Sequence, residues 1–223
     1  MTSRTGPIPK APTRAERTLA TRRRMVKAAY QLFCSNGYIG TTINAVAKEA
    51  GVAVPTVYYT FGTKAALLAE SMGAAIVGFD RWREPPPEPI DVVQVLPWHE
   101  WWADFAAAPT SADALDVFIS HGVGILQRVG PLVAAIHGAS GDAEAAAVTA
   151  TAEERRVDTY REAVRVIAGK PGGLRRGQSL AKATDIIVVL FSAELYQALA
   201  VGRGWSHSQC VNFFRQTLTA QLL

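Results

Sequence analysis

Apolar positions recur at helical spacing along most of the chain, and no stretch of any length alternates with the period of two that a half-buried strand requires. Met25, Val26, Ala29, Leu32 and Phe33 form one such stripe. It predicts a helix from about Arg14 to Asn36, closed where Asn36-Gly37 tolerates positive φ. Ile43, Val46 and Ala47 mark a short second helix. Thr41 or Thr42 can cap its first amides, and Gly51 can close it. A third short helix is expected from near Ala53, with Pro55 in the first turn, where a missing N–H costs nothing. Thr63 can then cap a fourth helix that begins at Lys64 and runs through Leu67, Leu68 and Met72 to about Trp82. Four prolines within residues 85–89 forbid its continuation.

From Asp91 onward, helices are expected near 97–108, 111–129, 131–138, 142–168, 179–202 and 206–221. The run 186–191 (IIVVLF) is apolar all round and β-branched. It is read as helix because the pattern continues through Leu195 and Leu199, beyond strand length. Ser206 with Gln209 makes a capping box for the last helix, whose stripe is Val211, Phe214, Leu218 and Leu222. The fold class expected is all-α.

Length and composition refine this picture. The 223 residues, 49% hydrophobic, suffice for a real core in one large or two small domains. Cys34 and Cys210 are far apart in helical patterns and read as free thiols in a reducing compartment. No hydrophobic run is expected to span a membrane, and MTSRTGPIPKAPTR lacks the apolar core of a secretory signal, so a cytoplasmic location is expected. Residues 1–13, with three prolines, Arg4 and Lys10, are expected to be a disordered basic arm. Charge is unevenly divided. Residues 1–64 carry ten Lys or Arg against Glu16 and Glu49, a net +8, whereas residues 65–223 carry thirteen basic and seventeen acidic residues, a net −4. A basic head on a mildly acidic body suits a protein that meets a polyanion through one end. Arg22, Arg23, Arg24 and Lys27, on the face of the first helix opposite its apolar stripe, form either a phosphate-facing edge or a solvated one; phosphate contact is favoured.

Helix, glycine turn and helix across Thr41–Lys64 present Val54, Thr56, Tyr58 and Tyr59 within about two turns, side chains suited to base edges, thymine methyls and phosphate oxygens. In this stretch the chain resembles the tetracycline-repressor (TetR) family of bacterial transcription regulators. The matching positions are Phe33, Gly37, Tyr38, Thr41, Thr42, Val46, Ala47, Ala50, Gly51, Val52, Thr56, Val57, Tyr58, Phe61, Gly62 and Lys64. The resemblance spans about residues 14–70. It implies a three-helix DNA-binding domain over 14–62 and a helical effector-binding and dimerisation domain over 63–223, entered by a connecting helix 63–82. It also implies that Val54, Pro55, Thr56, Tyr58 and Tyr59 meet a double-stranded DNA operator, with Thr41, Thr42 and Lys64 gripping phosphates. The segment from Asp185 is similar to the C-terminal helix pair of one branch of the family. That likeness implies a homodimer interface carried by Ile187, Phe191, Leu195, Leu199, Val211, Phe214 and Leu218. The chain departs from the family at Ala53, where a capping Ser is common, and at Val54, often Lys or Arg.

Trp98, Trp101, Trp102 and Phe105 fall at i, i+3, i+4 and i+7, one face of a helix. Two readings stand: core packing, and, with Phe118 and His121, the wall of a small-molecule effector pocket. His99, His121, His137 and His207 lack the paired spacing of a zinc site, so no metal is expected. No nucleophile elbow, phosphate loop or dinucleotide fingerprint is present; neither cofactor nor enzymatic activity is expected. Glu153, Glu154, Arg155 and Arg156 read as a solvated helix face. The function expected is a DNA-binding regulator, a repressor released from a palindromic operator by an apolar or aromatic effector. The alternative is a small-molecule-binding or interaction module whose DNA-binding head is vestigial.

Overall fold

The structure, a computed structural model, describes residues 13–83 and 91–223. The basic arm, apart from Thr13, and the proline run both lie outside the described residues. Among those described, twelve α-helices and short 3-10 turns account for the regular structure. They are α1 (Arg14–Gly40), α2 (Ile43–Ala50), α3 (Val54–Phe61), α4 (Lys64–Val77), α5 (Val92–Val95), α6 (Glu100–Ala107), α7 (Ser111–Val129), α8 (Val133–Gly138), α9 (Ala143–Ala168), α10 (Leu180–Leu190), α11 (Ala193–Ala200) and α12 (His207–Leu222).

Local signals in the sequence set most of these ends. Thr13 and Glu16 form a capping box at the start of α1. Its regular winding stops at Gly37, whose φ of 69° and ψ of −179° only glycine adopts readily. Thr42 caps α2 by accepting from the Ala45 amide at 3.1 Å, and Gly51 closes it in the left-handed region at φ 64°. Thr63 caps α4 and Ser206 with Gln209 boxes α12. Ala53 gives α3 no side-chain cap, and Pro55 sits in its first turn.

Several expectations need correction. The fourth helix stops at Val77, not Trp82: Gly78 takes φ 99°, and the chain turns back so that Trp82 is buried. There the Trp82 carbonyl accepts two bonds from the Arg23 guanidinium, at 2.9 and 2.7 Å. The helix expected over 179–202 is broken at Phe191-Ser192. Ser192 caps α11 by accepting from the Leu195 amide at 3.2 Å. The carbonyls stranded by the break are met from α9: Tyr160 donates to Phe191 O at 2.9 Å and Arg156 to Val188 O at 3.0 Å. Arg156 is therefore not on a solvated face; it lies half-buried over the Tyr160 ring. Thirdly, Ser111–Gly141 and Leu180–Ala200 are long and apolar enough, by length and composition alone, to cross a membrane. Both are interrupted, the first by the 3-10 turn at Gly130 and the second at Phe191-Ser192, and they contribute to the protein's two apolar cores. The same test is passed by core helices of soluble proteins.

The first core joins α1–α4 to Trp82 and to Leu132, Ala135, Ala139 and Ala145, so α4 and the neighbourhood of α8 share an interior with the head. The second joins Phe105, α7, the second half of α9, α10 and α12. Cys34 is half-buried and Cys210 buried, both as free thiols.

Candidate nucleic-acid interface

An eight-residue helix cannot hold itself in water. Val57 and Phe61 anchor α3 to the first core, and the opposite side of the helix is left outward. There Tyr59 is 94% and Tyr58 52% exposed, an unusual exposure for large aromatic rings, with Pro55 exposed beside them. Val54 and Thr56 are half-buried, Val54 packed against the core. A groove of about 1260 Å³ runs between α3 and the first half of α1, lined by Arg14, Arg17, Thr18, Thr56, Tyr59 and Thr60 among others. The arginines at Arg14 and Arg17 make that groove electropositive.

The residues carried over as phosphate contacts are placed differently from one another. Thr42 is exposed at the cap of α2. Thr41 is 1% exposed and donates its hydroxyl to Gly37 O at 2.7 Å, which braces the end of α1. Lys64 is half-buried; its ammonium donates to Tyr38 O at 3.0 Å and Thr41 O at 3.3 Å and lies 4.1 Å from the Tyr38 ring centroid. Of the basic face of α1, Arg24 and Lys27 are exposed, but Arg22 turns inward to pair with Glu70 and cover the Phe61 ring. Sequence reasoning missed that Glu70 lies within reach, because the two are 48 residues apart.

Head and body meet at two polar joints. Tyr38 donates its hydroxyl to Asp142 at 2.9 Å and Thr63 donates to Glu144 at 2.6 Å, at the first turn of α9. At the other joint Arg128, near the end of α7, donates to Ala75 O and Ile76 O, the closing carbonyls of α4, at 2.7 and 3.1 Å. Its own carbonyl accepts the Tyr30 hydroxyl of α1 at 2.7 Å. Burial pushes the Tyr30 phenol up to about 12, with Cys34 adding to the shift, so it donates at any physiological pH.

The aromatic set of the body does not share one helix face. Trp98 falls in a 3-10 turn ahead of α6 and is 70% exposed. Trp101 and Trp102 are half-buried, while Phe105 and Phe118 are buried. The Trp101 ring lies 5.8 Å from Phe105, 6.2 Å from Phe118 and 6.3 Å from His121, which stacks over it from an otherwise exposed position. Phe118 continues the cluster to Phe191 at 5.2 Å and Tyr160 at 5.6 Å. The buried Trp101 Nε1 finds no acceptor, a cost of roughly 1–3 kcal/mol unless something supplies one. Of the positions carried over as a dimer interface, Ile187, Phe191, Phe214 and Leu218 lie inside the protomer's own core. Leu195, Leu199 and Val211 are half-buried.

A basic helix-turn-helix head on a protein whose described residues are otherwise helical is an arrangement found among DNA-binding proteins. Residues 25–71 match the family model described as bacterial regulatory proteins, tetR family. Through that segment, α1's second half to the first half of α4, the chain is similar to TetR-family regulators. The whole fold is similar to several solved structures. A provisionally assigned transcriptional regulator from Saccharomonospora viridis, in complex with choline, is 17% identical at a TM-score of 0.64, covering 91% of this chain and 97% of that one. The fatty acid degradation regulator FadR from Bacillus halodurans is 15% identical at 0.62, covering 95% and 96%. NalD from Pseudomonas aeruginosa, the secondary repressor of the MexAB-OprM multidrug efflux pump, is 17% identical at 0.59, covering 92% and 96%. These likenesses show the fold. No curated protein matches in sequence.

Proposed function

We propose that the protein is a ligand-controlled transcriptional repressor, not an enzyme, which acts in the cytoplasm as a homodimer on a palindromic operator. The head is 14–62 and the body 63–223, with the basic arm ahead of them. The observation that carries this reading is the outward face of α3, where Tyr58 and Tyr59 stand exposed on a helix anchored from behind. Exposed phenols cost solubility unless they meet something, and on a basic head the partner is a duplex, with hydroxyls and rings reaching base edges and sugar–phosphate. Thr42, Arg24 and the Arg14–Arg17 edge supply phosphate contacts, and Lys64 adds its charge from the end of α4. Thr41 supports the head from within.

The effector site we assign to the aromatic cluster around Trp101, where the unpartnered indole N–H would be met by an acceptor on a small apolar or aromatic molecule. The choline complex of the Saccharomonospora viridis protein supports the idea that this fold admits small ligands. Successive half-sites on one face of a duplex lie about 34–36 Å apart. A ligand that favours a dimer with a different head spacing lowers operator affinity, in proportion to its preference for that state.

The test is Tyr58→Ala, measured by fluorescence anisotropy on DNA flanking the protein's own gene. Operator binding should fall by at least tenfold, the loss of about 1.4 kcal/mol, with the dimer and its helical circular dichroism intact. Undiminished binding would remove α3 as the reader.

A further inference from the structure

Lys64, at the head–body joint, is surrounded by more than backbone carbonyls. It lies on the Tyr38 ring, and the hydroxyl of that ring is bonded to Asp142 at 2.9 Å. Two residues on, Glu144 holds the Thr63 hydroxyl at 2.6 Å, next to Lys64 in sequence. Two body carboxylates are thus brought against the corner of the head that carries the lysine proposed to meet phosphate. The Asp142 carboxyl is held below its ordinary value, first by the Ala145 amide, then by the Tyr38 hydroxyl, with the Lys64 charge also contributing. Burial, and then Asp142 itself, push the Tyr38 phenol well above its usual range, so this hydrogen bond keeps its donor and its anion together.

We infer that Asp142 and Glu144 form an acidic latch, which holds the head to the body and which DNA phosphate must displace or oppose at Tyr38, Thr63 and Lys64. The inference rests on the DNA-binding reading above. A phosphate approaching the Lys64 ammonium meets two like charges already placed there, so closing the latch disfavours DNA and binding DNA favours opening it. The latch gives the body a handle on the head without moving α3: any ligand that shifts α9 along its axis loosens or tightens both carboxylates at once.

Both residues also serve α9, Asp142 as its cap and Glu144 as an acid near the helix's positive end. The test must therefore remove charge without removing those roles. Asn caps as well as Asp, and Gln keeps an acceptor for Thr63, so Asp142→Asn/Glu144→Gln is the variant of choice. A duplex of mixed sequence at about 0.15 M salt, where the screening length is about 8 Å, is the probe, read by anisotropy, with thermal melting as the check on folding. The double variant should bind at least about fivefold tighter than wild type, a typical coupling factor. Tyr38→Phe, which keeps the ring under Lys64 but loses the hydroxyl, should tighten binding in the same direction, and it decides the matter if the double variant melts early. Glu154→Gln lies ten residues further along α9 than Glu144, about 15 Å away and beyond the screening length, and it should change nothing. Equal affinity of wild type and latch variants, or an equal gain from Glu154→Gln, overturns the latch and leaves the DNA reading standing. If neither wild type nor variant binds any duplex, the DNA reading falls and the latch with it.

Discussion

Arg22 and Arg24 stand two residues apart on α1 and have different occupations. Arg22 pairs with Glu70 and lies 5.4 Å from the Phe61 ring centroid, both partners largely withdrawn from water, while Arg24 is exposed. Arg22→Ala should therefore lower the melting temperature, by about 1–3 kcal/mol of stability for a partly buried pair left with one charge, and weaken DNA only through the fold. Arg24→Ala should leave melting unchanged and reduce the slope of log affinity against log salt by about one. Anisotropy titrations at several salt concentrations, beside melts, separate the two. Two residues apart, the arginines point to different sides of α1; only the third dimension shows that Glu70 claims one of them. His99 is a second instance. Burial lowers its pKa from 6.5, so the folded state resists the proton that the unfolded chain accepts. Its contribution is whole above pH 6.5 and is lost as the pH falls from there towards the depressed value. His99→Gln should flatten that part of the stability profile, measured by denaturant melts at stepped pH.

Helix starts were legible because their signals are local. Thr42, Thr63, Ser206 and the Gly51 turn each act within four residues. The break at Phe191-Ser192 was not, since what makes it tolerable comes from Tyr160 and Arg156 on α9, about thirty residues back. Gly122 on α7 faces the ring of Phe191 at this break. A Cβ there would lie 2.5 Å from the Phe191 ring, closer than any real contact, and this glycine stays in the helix only because the ring needs the room. Gly122→Ala should cost about 1–3 kcal/mol through overpacking, although on an open helix face the same change gains up to about 1 kcal/mol. Chemical denaturation gives the sign. The aromatic cluster illustrates the same limit: helical spacing grouped Trp98 with its neighbours, but the 3-10 turn Leu96–Trp98, with Pro97 in it, leaves Trp98 at the surface.

At the scale of the whole molecule, the basic head and acidic body read from the sequence do not have two separate interiors. The first core runs from α1 through α4 to Leu132 and Ala145. The residues carried over as a dimer seam divide as well. Phe214 and Ile187 hold the protomer together, so Phe214→Ala should cost about 3–5 kcal/mol of stability. α10 leaves Leu180 and Val189 as its large apolar side chains in solvent. If the dimer uses this helix, Val189→Arg should yield folded protomers by sedimentation equilibrium and weaken operator binding steeply, because each half-site then has to be found alone. A dimer of unchanged strength would move the seam elsewhere.

Arg128 holds the last carbonyls of α4 with its guanidinium and the Tyr30 hydroxyl with its own carbonyl, so three helices are pinned through one residue. A pin of this kind passes rotation more readily than translation. Sliding α7 endwise would strain the bonds on both sides, whereas rocking it about the arginine tilts α4 and swings the far end of α1. In the dimer proposed above, rocking of this kind would turn the two tyrosine-bearing heads towards or away from each other, as the jaws of callipers turn about their rivet.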